Sequence, residues 1–153
     1  SNVVVLKEWE LGEKEVLNRF LGVIQNQDRP NIIGHNILGF DIPVIVCRSL
    51  ENGIGRLEVI YSIFREPYGI DTIQCLLASN RMYFRGLGLA ACAERLGIAV
   101  GSENGSSIQE LYEREEYEKI VHHNVEDVLV TERLYYHLMN CNFNPFTEES
   151  EIA

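Results

Sequence analysis

The chain has 153 residues, of which 46% are hydrophobic and 24% are charged. This composition is typical of an ordinary globular protein and predicts one domain with a sizeable core. The formal net charge of −10 argues against broad electrostatic capture of nucleic acid. It leaves open an enzyme whose carboxylates hold divalent cations, because a bound metal reverses the local field.

The sequence contains neither a membrane-spanning pattern nor an export-signal pattern. No apolar run has the length needed to cross a bilayer, and no signal-peptide pattern opens the chain. The cysteines are scattered without a CxxC pair, so a zinc ribbon or a disulfide framework is poorly supported. We therefore expect a protein of the reducing cytoplasm that has no membrane partner.

Hydrophobic spacing and turn residues predict an alternation of strands and helices. In the first half of the chain they predict a strand at Val3–Leu6, a helix at Glu13–Gln25, a strand at Asn31–Ile33 ending at Gly34, and a helix from Asp41 to about Leu50. In the second half they predict a strand or hairpin arm at Leu57–Phe64, a short core strand at Ile70–Ile73, and helices at Gly86–Leu96, Ser107–Tyr112 and Tyr117–Leu138. Residues 1–140 are expected to form the domain, with a mobile polar loop at Gly101–Ser107 and a flexible or docking tail at 141–153.

Asp41 follows a strand and a polar turn, and it stands at the start of a helix. This order places an anion at the mouth of an α/β sheet, where it could bind a metal. Asp is also a preferred N-cap residue, and Pro43 suits the first helical turn. The local pattern is thus compatible with a capping role or with a metal-binding role.

A second carboxylate, Asp127, is followed by the apolar run Val128–Val130. A carboxylate in such a run needs a metal ion or a buried hydrogen bond as compensation. His123 lies four residues earlier, on the same helical face. His122 lies about 140° away around a regular helix, and it reaches the same site only if the helix starts after it. Two adjacent histidines are also common in a polar entry turn.

These residues fall into two motifs of a known superfamily. Asn36-I-L-G-Phe40-Asp41 resembles the second motif of the DEDD (DnaQ-like) 3′–5′ exonucleases. His122-x-x-x-x-Asp127 resembles the third motif of their histidine branch, and His123-x-x-x-Asp127 occupies the place of Tyr-x-x-x-Asp in the tyrosine branch. From about Glu13 to Leu138 the chain is most similar to the proofreading exonuclease domain of family-B DNA polymerases and its stand-alone relatives.

The resemblance implies an α/β, RNase H-like fold, in which helices flank a mixed sheet. It also implies hydrolysis of phosphodiesters at the 3′ end of single-stranded DNA or RNA by a two-metal mechanism that uses Mg²⁺ or Mn²⁺. By this carry-over the metal ligands are Asp41 and Asp127, the general base is His122 or His123, and the residues that shape the substrate cleft are Asn36 and Phe40.

The first motif of the superfamily, Asp-x-Glu on the first strand, is not found. Glu8-x-Glu10 has the right spacing, but the helix predicted from Glu13 leaves no room for the two strands that should follow. The better alignment makes Val3–Leu6 the third strand and leaves Glu8 and Glu10 as solvated charges. The domain is then N-terminally incomplete, and its open sheet edge predicts a homo-oligomer or strand exchange.

Two alternatives remain open at this level. The first is a catalytically inactive RNase H-like module with a binding or assembly role. The second is an unrelated α/β domain in which Asp41 is an N-cap and Asp127 accepts a hydrogen bond in the core. Metal dependence separates these alternatives from an active exonuclease.

Overall fold

The computed structural model describes residues 3–28, 30–65, 67–99 and 108–140. In chain order its helices are α1 (Glu8–Leu11), α2 (Glu13–Gln25), α3 (Asp41–Glu51), α4 (Leu57–Arg65), α5 (Thr72–Leu77), α6 (Leu89–Arg95), α7 (Ile108–Glu113) and α8 (Tyr117–Asn140). The strands are β1 (Asn31–Gly34) and β2 (Tyr68–Asp71), and a 3₁₀ turn spans Ala78–Asn80. The described chain is thus a helix-rich α/β structure.

The backbone divides into two compact units, which we describe separately. The N-terminal unit is Val4–Asp71, and the C-terminal unit contains Thr72–Ala153 together with Ser1–Val3. The prediction of one domain over residues 1–140 stays a prediction. The predicted loop at Gly101–Ser107 and the predicted tail at 141–153 lie outside the described residues.

A small parallel sheet organises the N-terminal unit. β1 pairs with β2 so that Gly34 lies opposite Asp71 at the carboxyl ends of the two strands. α2 packs against α3 and α4 and buries Leu17, Leu21 and Ile24 on one face, as their helical spacing predicts. In this unit the predicted helices at Glu13–Gln25 and from Asp41, and the strand ending at Gly34, are confirmed.

Two predicted strands of the N-terminal unit are wrong. Val3–Leu6 has no regular structure, because a strand needs a ladder partner as well as β-branched composition. The expected strand at Leu57–Phe64 is helix α4. Ile60 is 1% exposed and Ile63 and Phe64, three and four residues later, are half-buried. Glu58, two residues before Ile60, is exposed, so the burial follows a helical and not an alternating period.

The C-terminal unit is helical in its described part. Its core contains Ile73, Leu76, Leu77, Leu87, Cys92 and Leu134, contributed by α5, α6, α8 and the segment before α6. The predicted strand at Ile70–Ile73 is confirmed only in part, because β2 ends at Asp71 and α5 begins at Thr72. The predicted helices α6, α7 and α8 are present, with α6 beginning three residues later than Gly86 at Leu89.

Candidate functional site

The loop between β1 and α3 contains the predicted site residues Asn36 and Phe40, and α3 begins with a third, Asp41. Asn36 has a φ of 65°, a left-handed conformation that asparagine tolerates better than most residues. Its carbonyl oxygen accepts hydrogen bonds from the N–H groups of Gly39 (3.1 Å) and Phe40 (3.0 Å), which close a tight turn. Ile37 is buried beneath the turn, while Leu38 and Phe40 project outward and are 56% and 62% exposed.

Asp71 fixes this loop from the neighbouring strand. Its Oδ1 accepts a hydrogen bond from the Asn36 N–H at 2.7 Å, and its Oδ2 accepts one from the Leu38 N–H at 3.0 Å. Asp71 is only 4% exposed, so the accepting residue is buried, and both hydrogen bonds are partly buried. Hydrogen bonds to an ionised acceptor are stronger than neutral ones, and two together fix the orientation of the loop.

Sequence reasoning did not identify Asp71 as a site residue. The signal for it was a carboxylate at the end of β2, beside the strand that leads into the Asn36 loop. The carboxyl ends of two parallel strands meet at the same edge of a sheet, so a side chain there can reach the loop that leaves the adjacent strand.

Asp41 is the first residue of α3, and Phe40 occupies the N-cap position. The Phe40 carbonyl accepts the hydrogen bond from the Val44 N–H at 3.0 Å, as an N-cap carbonyl does. The pKa of Asp41 lies above its usual value because of partial burial and, to a smaller extent, the charge of Asp71, while a hydrogen bond from the Asp41 N–H opposes these effects. Because Phe40 is the N-cap residue and no side chain caps α3, the prediction of Asp41 as the N-cap is wrong.

The side chains of Asn36 and Phe40 have different surroundings. The Oδ1 atom of Asn36 lies over Gly39, 2.5 Å from the position that a Cβ atom at Gly39 would take. A side chain at position 39 would therefore require the Asn36 side chain to shift. The side chain of Phe40, which directly precedes Asp41 in the chain, is exposed.

The histidines and Asp127 lie on α8 in the C-terminal unit. The Nε2 atom of His123 lies 3.5 Å from Oδ2 of Asp127, so the two share a face as their spacing predicts. The Nδ1 atom of His122 lies 3.4 Å from Oε2 of Glu126 instead. Because α8 begins at Tyr117, His122 is inside a regular helix and does not fold back toward Asp127.

The expected burial of Asp127 is wrong. Its side chain is 50% exposed, whereas the His123 side chain is 16% exposed. The buried residues of α8 are Val130 and Leu134, so Asp127 stands one turn before this buried stripe. Asp127 therefore needs no buried partner to compensate a loss of hydration.

The remaining carboxylates considered for metal binding are exposed. Glu8 and Glu10 belong to the short helix α1, and Nζ of Lys7 lies 3.0 Å from Oε1 of Glu10. Among the described residues, no group of three or more His, Cys, Asp or Glu side chains is arranged to hold a metal ion. The structure thus brings together Asn36, Phe40 and Asp41 in one unit, and His123 and Asp127 in the other.

Comparison with known proteins gives one match. Residues 1–61 match the model of a family described as a predicted 3′-5′ exonuclease related to the exonuclease domain of PolB. The matched segment contains Asn36, Phe40 and Asp41, and it confirms the predicted relationship to these exonucleases. Searches of curated proteins and of solved structures found no match. In the described parts of the chain, every helix is too short or too polar to cross a membrane.

Proposed function

We propose that the chain is a 3′–5′ exonuclease-type domain with an RNase H-like fold that hydrolyses phosphodiesters of single-stranded DNA or RNA. The main support is the loop of Asn36 and Phe40, with Asp41 at the start of α3 directly after it, which lies in the segment matched by the exonuclease family. Asp71 holds this loop through two hydrogen bonds. A rigid support of this kind is what a catalytic loop needs, because small displacements of reacting groups cost large factors in rate.

The carboxylates of the proposed site suit Mg²⁺ or Mn²⁺, because these ions prefer carboxylate oxygens as ligands and keep several bound waters. Asp41 and Asp127 are the proposed ligands. Partial burial and, to a smaller extent, the nearby charge of Asp71 raise the pKa of Asp41, and a bound cation would lower this pKa again. When bound, two divalent ions would supply an activated water and stabilise the leaving oxygen.

His123, in preference to His122, is the proposed general base. The Asp127 carboxylate lies 3.5 Å from its Nε2 atom, which is longer than a normal hydrogen bond but close enough to bias the orientation of the ring. In this role His123 accepts a proton from the attacking water. His122 faces Glu126 and is 71% exposed, so its position is less constrained.

Phe40 and Asn36 are the proposed substrate contacts. An aromatic ring that is 62% exposed offers a face on which a terminal base can stack. Asn36 has its backbone N–H bonded to Asp71, so its position in the loop is fixed before substrate arrives. The predicted association through an open sheet edge stays a prediction, which light scattering of the full chain would test.

The function is tested with a single-stranded oligonucleotide labelled at its 5′ end and incubated with the full chain and Mg²⁺ or Mn²⁺. We expect a ladder that shortens from the 3′ end and disappears with chelator or in Asp127→Asn. A duplex without a 3′ overhang should be degraded more slowly. No cleavage by the folded protein with either metal would overturn the proposal.

The two histidines are compared in the same assay. His123→Ala should reduce the cleavage rate about a hundredfold or more, the range expected for loss of a general base, and His122→Ala should keep most of it. Loss in His122→Ala alone would transfer the role to His122. Equal activity of both variants would remove both from the mechanism.

A further inference from the structure

A basic and aromatic loop, Arg81–Arg85, lies in the C-terminal unit outside the proposed catalytic residues. Its sequence is R-M-Y-F-R, and it connects the 3₁₀ turn Ala78–Asn80 with the segment before α6. Met82, Tyr83 and Phe84 are 68%, 67% and 54% exposed. Three consecutive large apolar side chains open to solvent are unusual on a protein surface unless they bind something.

The backbone of the Arg81–Arg85 loop is held by its neighbours. The Nδ2 group of Asn80 donates hydrogen bonds to the carbonyl oxygens of Tyr83 and, at 3.1 Å, Arg85. The Met82 N–H donates to the Leu77 carbonyl at 2.8 Å. Arg81 and Met82 have φ values of 52° and 63°, a conformation that persists only where the surroundings impose it. The exposed side chains therefore project from a preformed backbone.

The charge of this loop contrasts with that of the whole chain. The net charge of the protein is −10, yet no acidic residue lies between Asp71 and Glu94 in the sequence. In the described part of the chain, neither Arg81 nor Arg85 has a carboxylate within 4.0 Å. The Nη2 atom of Arg95 also reaches the loop, 3.1 Å from where a Cβ atom at Gly86 would lie.

An open pocket of about 540 Å³ lies within this loop region. Its walls are Ser79, Asn80, Arg81, Tyr83 and Arg85. The pocket is thus lined by two arginines, a tyrosine and two small polar residues. Arginine binds phosphate oxygens through paired N–H donors, and exposed aromatic rings stack on unpaired bases.

We propose that the Arg81–Arg85 loop is a further contact surface for single-stranded nucleic acid. Arg81 and Arg85 bind backbone phosphates, and Tyr83 and Phe84 stack on bases. A duplex fits less well, because its bases are already stacked on one another. The choice of ligand rests on the proposed exonuclease function, but the loop and its charges are observations independent of Asp41 and Asp127.

The test measures binding of a fluorescein-labelled oligothymidylate to the full chain by anisotropy, in chelator and over a range of salt concentrations. Arg81→Gln with Arg85→Gln should weaken binding about tenfold or more. The same double substitution should reduce the slope of log K against log salt by about 1.4, because each arginine that binds a phosphate contributes about 0.7 to the slope for a single strand. Tyr83→Ala and Phe84→Ala should each weaken binding about fivefold or more without changing this slope.

Matched controls come from α4 and the segment before it. Arg56→Gln with Arg65→Gln removes the same charge, and Tyr61→Ala removes a ring that is 52% exposed. Both controls should bind like the unchanged protein. Circular dichroism and thermal unfolding of all variants check that the fold is retained.

Unchanged binding after substitution of both Arg81 and Arg85 would overturn the proposal, as would equal weakening in the control variants. The assignment to nucleic acid would be overturned by two results together. These are unchanged oligothymidylate affinity in Tyr83→Ala and Phe84→Ala, and equally tight binding of heparin or phosphatidylserine vesicles to the unchanged protein. Since no cleavage occurs in chelator, the result can be read whether or not the chain is a nuclease. A failure here is thus distinct from a failure of the proposed function.

Discussion

At the scale of single residues, the loop of Asn36 and Phe40 that leads to Asp41 depends on the two hydrogen bonds that Asp71 accepts. Asp71→Asn replaces one carboxylate oxygen with an NH₂ group, so one of the two loop N–H groups would face a donor. We expect the free energy of unfolding to fall by about 1–3 kcal/mol, the cost of a buried unsatisfied group. Urea unfolding measures this change.

The matched control for this prediction is Asp28→Asn, which makes the same chemical change at an exposed position. It should alter the free energy of unfolding by no more than about 0.5 kcal/mol. Equal stability of Asp71→Asn and the unchanged protein would show that the loop does not depend on this carboxylate.

Gly34 is a second residue on which the loop depends. A Cβ atom there would lie 2.0 Å from Cγ2 of Ile37, whose side chain is buried and cannot move aside freely. Gly34→Ala should therefore lower the free energy of unfolding by about 1–3 kcal/mol. For Gly69, in the paired strand, no atom of the described residues beyond its chain neighbours lies within 4 Å of the position that a Cβ atom would take.

Gly69→Ala is thus the control, and it should leave stability unchanged or raise it by up to about 1 kcal/mol. Thermal unfolding of the two variants side by side makes the comparison. A Gly34→Ala protein as stable as Gly69→Ala would mean that the turn after β1 is not closely packed.

At the scale of elements, α2 and α3 are connected through Glu13. The Arg48 guanidinium donates two hydrogen bonds to the Glu13 carboxylate, and Nδ2 of Asn52 donates a third at 2.9 Å. The hydrogen bonds from Arg48 and, to a smaller extent, the one from Asn52 lower the pKa of Glu13 below its usual value of 4.5. A lowered pKa in the folded state means that the ionised form of Glu13 stabilises the fold.

This contribution is fully present above pH 4.5 and is lost as the pH falls through the folded-state pKa. Glu13→Gln should therefore be less stable than the unchanged protein at pH 7, and the difference should narrow below pH 4.5. Urea unfolding at a series of pH values measures the difference. Glu58→Gln, on an exposed position of α4, is the control. A difference that does not change with pH would contradict the assignment.

At the scale of the whole molecule, the elements whose structure is set by nearby residues were predictable from the sequence. The apolar spacing of α2 and the glycine and proline signals around α3 are local, and both helices were predicted. The strand at Val3–Leu6 was wrong because a strand depends on a partner elsewhere in the chain. The strand or hairpin arm predicted at Leu57–Phe64 was wrong because the apolar pattern there is irregular and does not distinguish a strand from the helix α4 that forms.

The residues of the candidate site follow the same rule: those in a local motif were predictable, and the one that depends on a long-range contact was not. Asn36, Phe40 and Asp41 form a continuous motif and were found from it. Asp71 was missed because its contact with Asn36 joins residues 35 positions apart, across the sheet. His122 and His123 could not be separated by spacing until the start of α8 was known.

The central claim is that Asp41 serves phosphodiester hydrolysis. The most direct test is the rate at which the full chain releases 3′-terminal nucleotides from a 5′-labelled single-stranded oligonucleotide with Mn²⁺. It compares Asp41→Asn with Asp28→Asn, both purified identically so that contaminating nucleases are equal. We predict a loss of about a hundredfold or more in Asp41→Asn and an unchanged rate in Asp28→Asn. Equal rates in the two variants, or cleavage that persists in chelator, would contradict the claim.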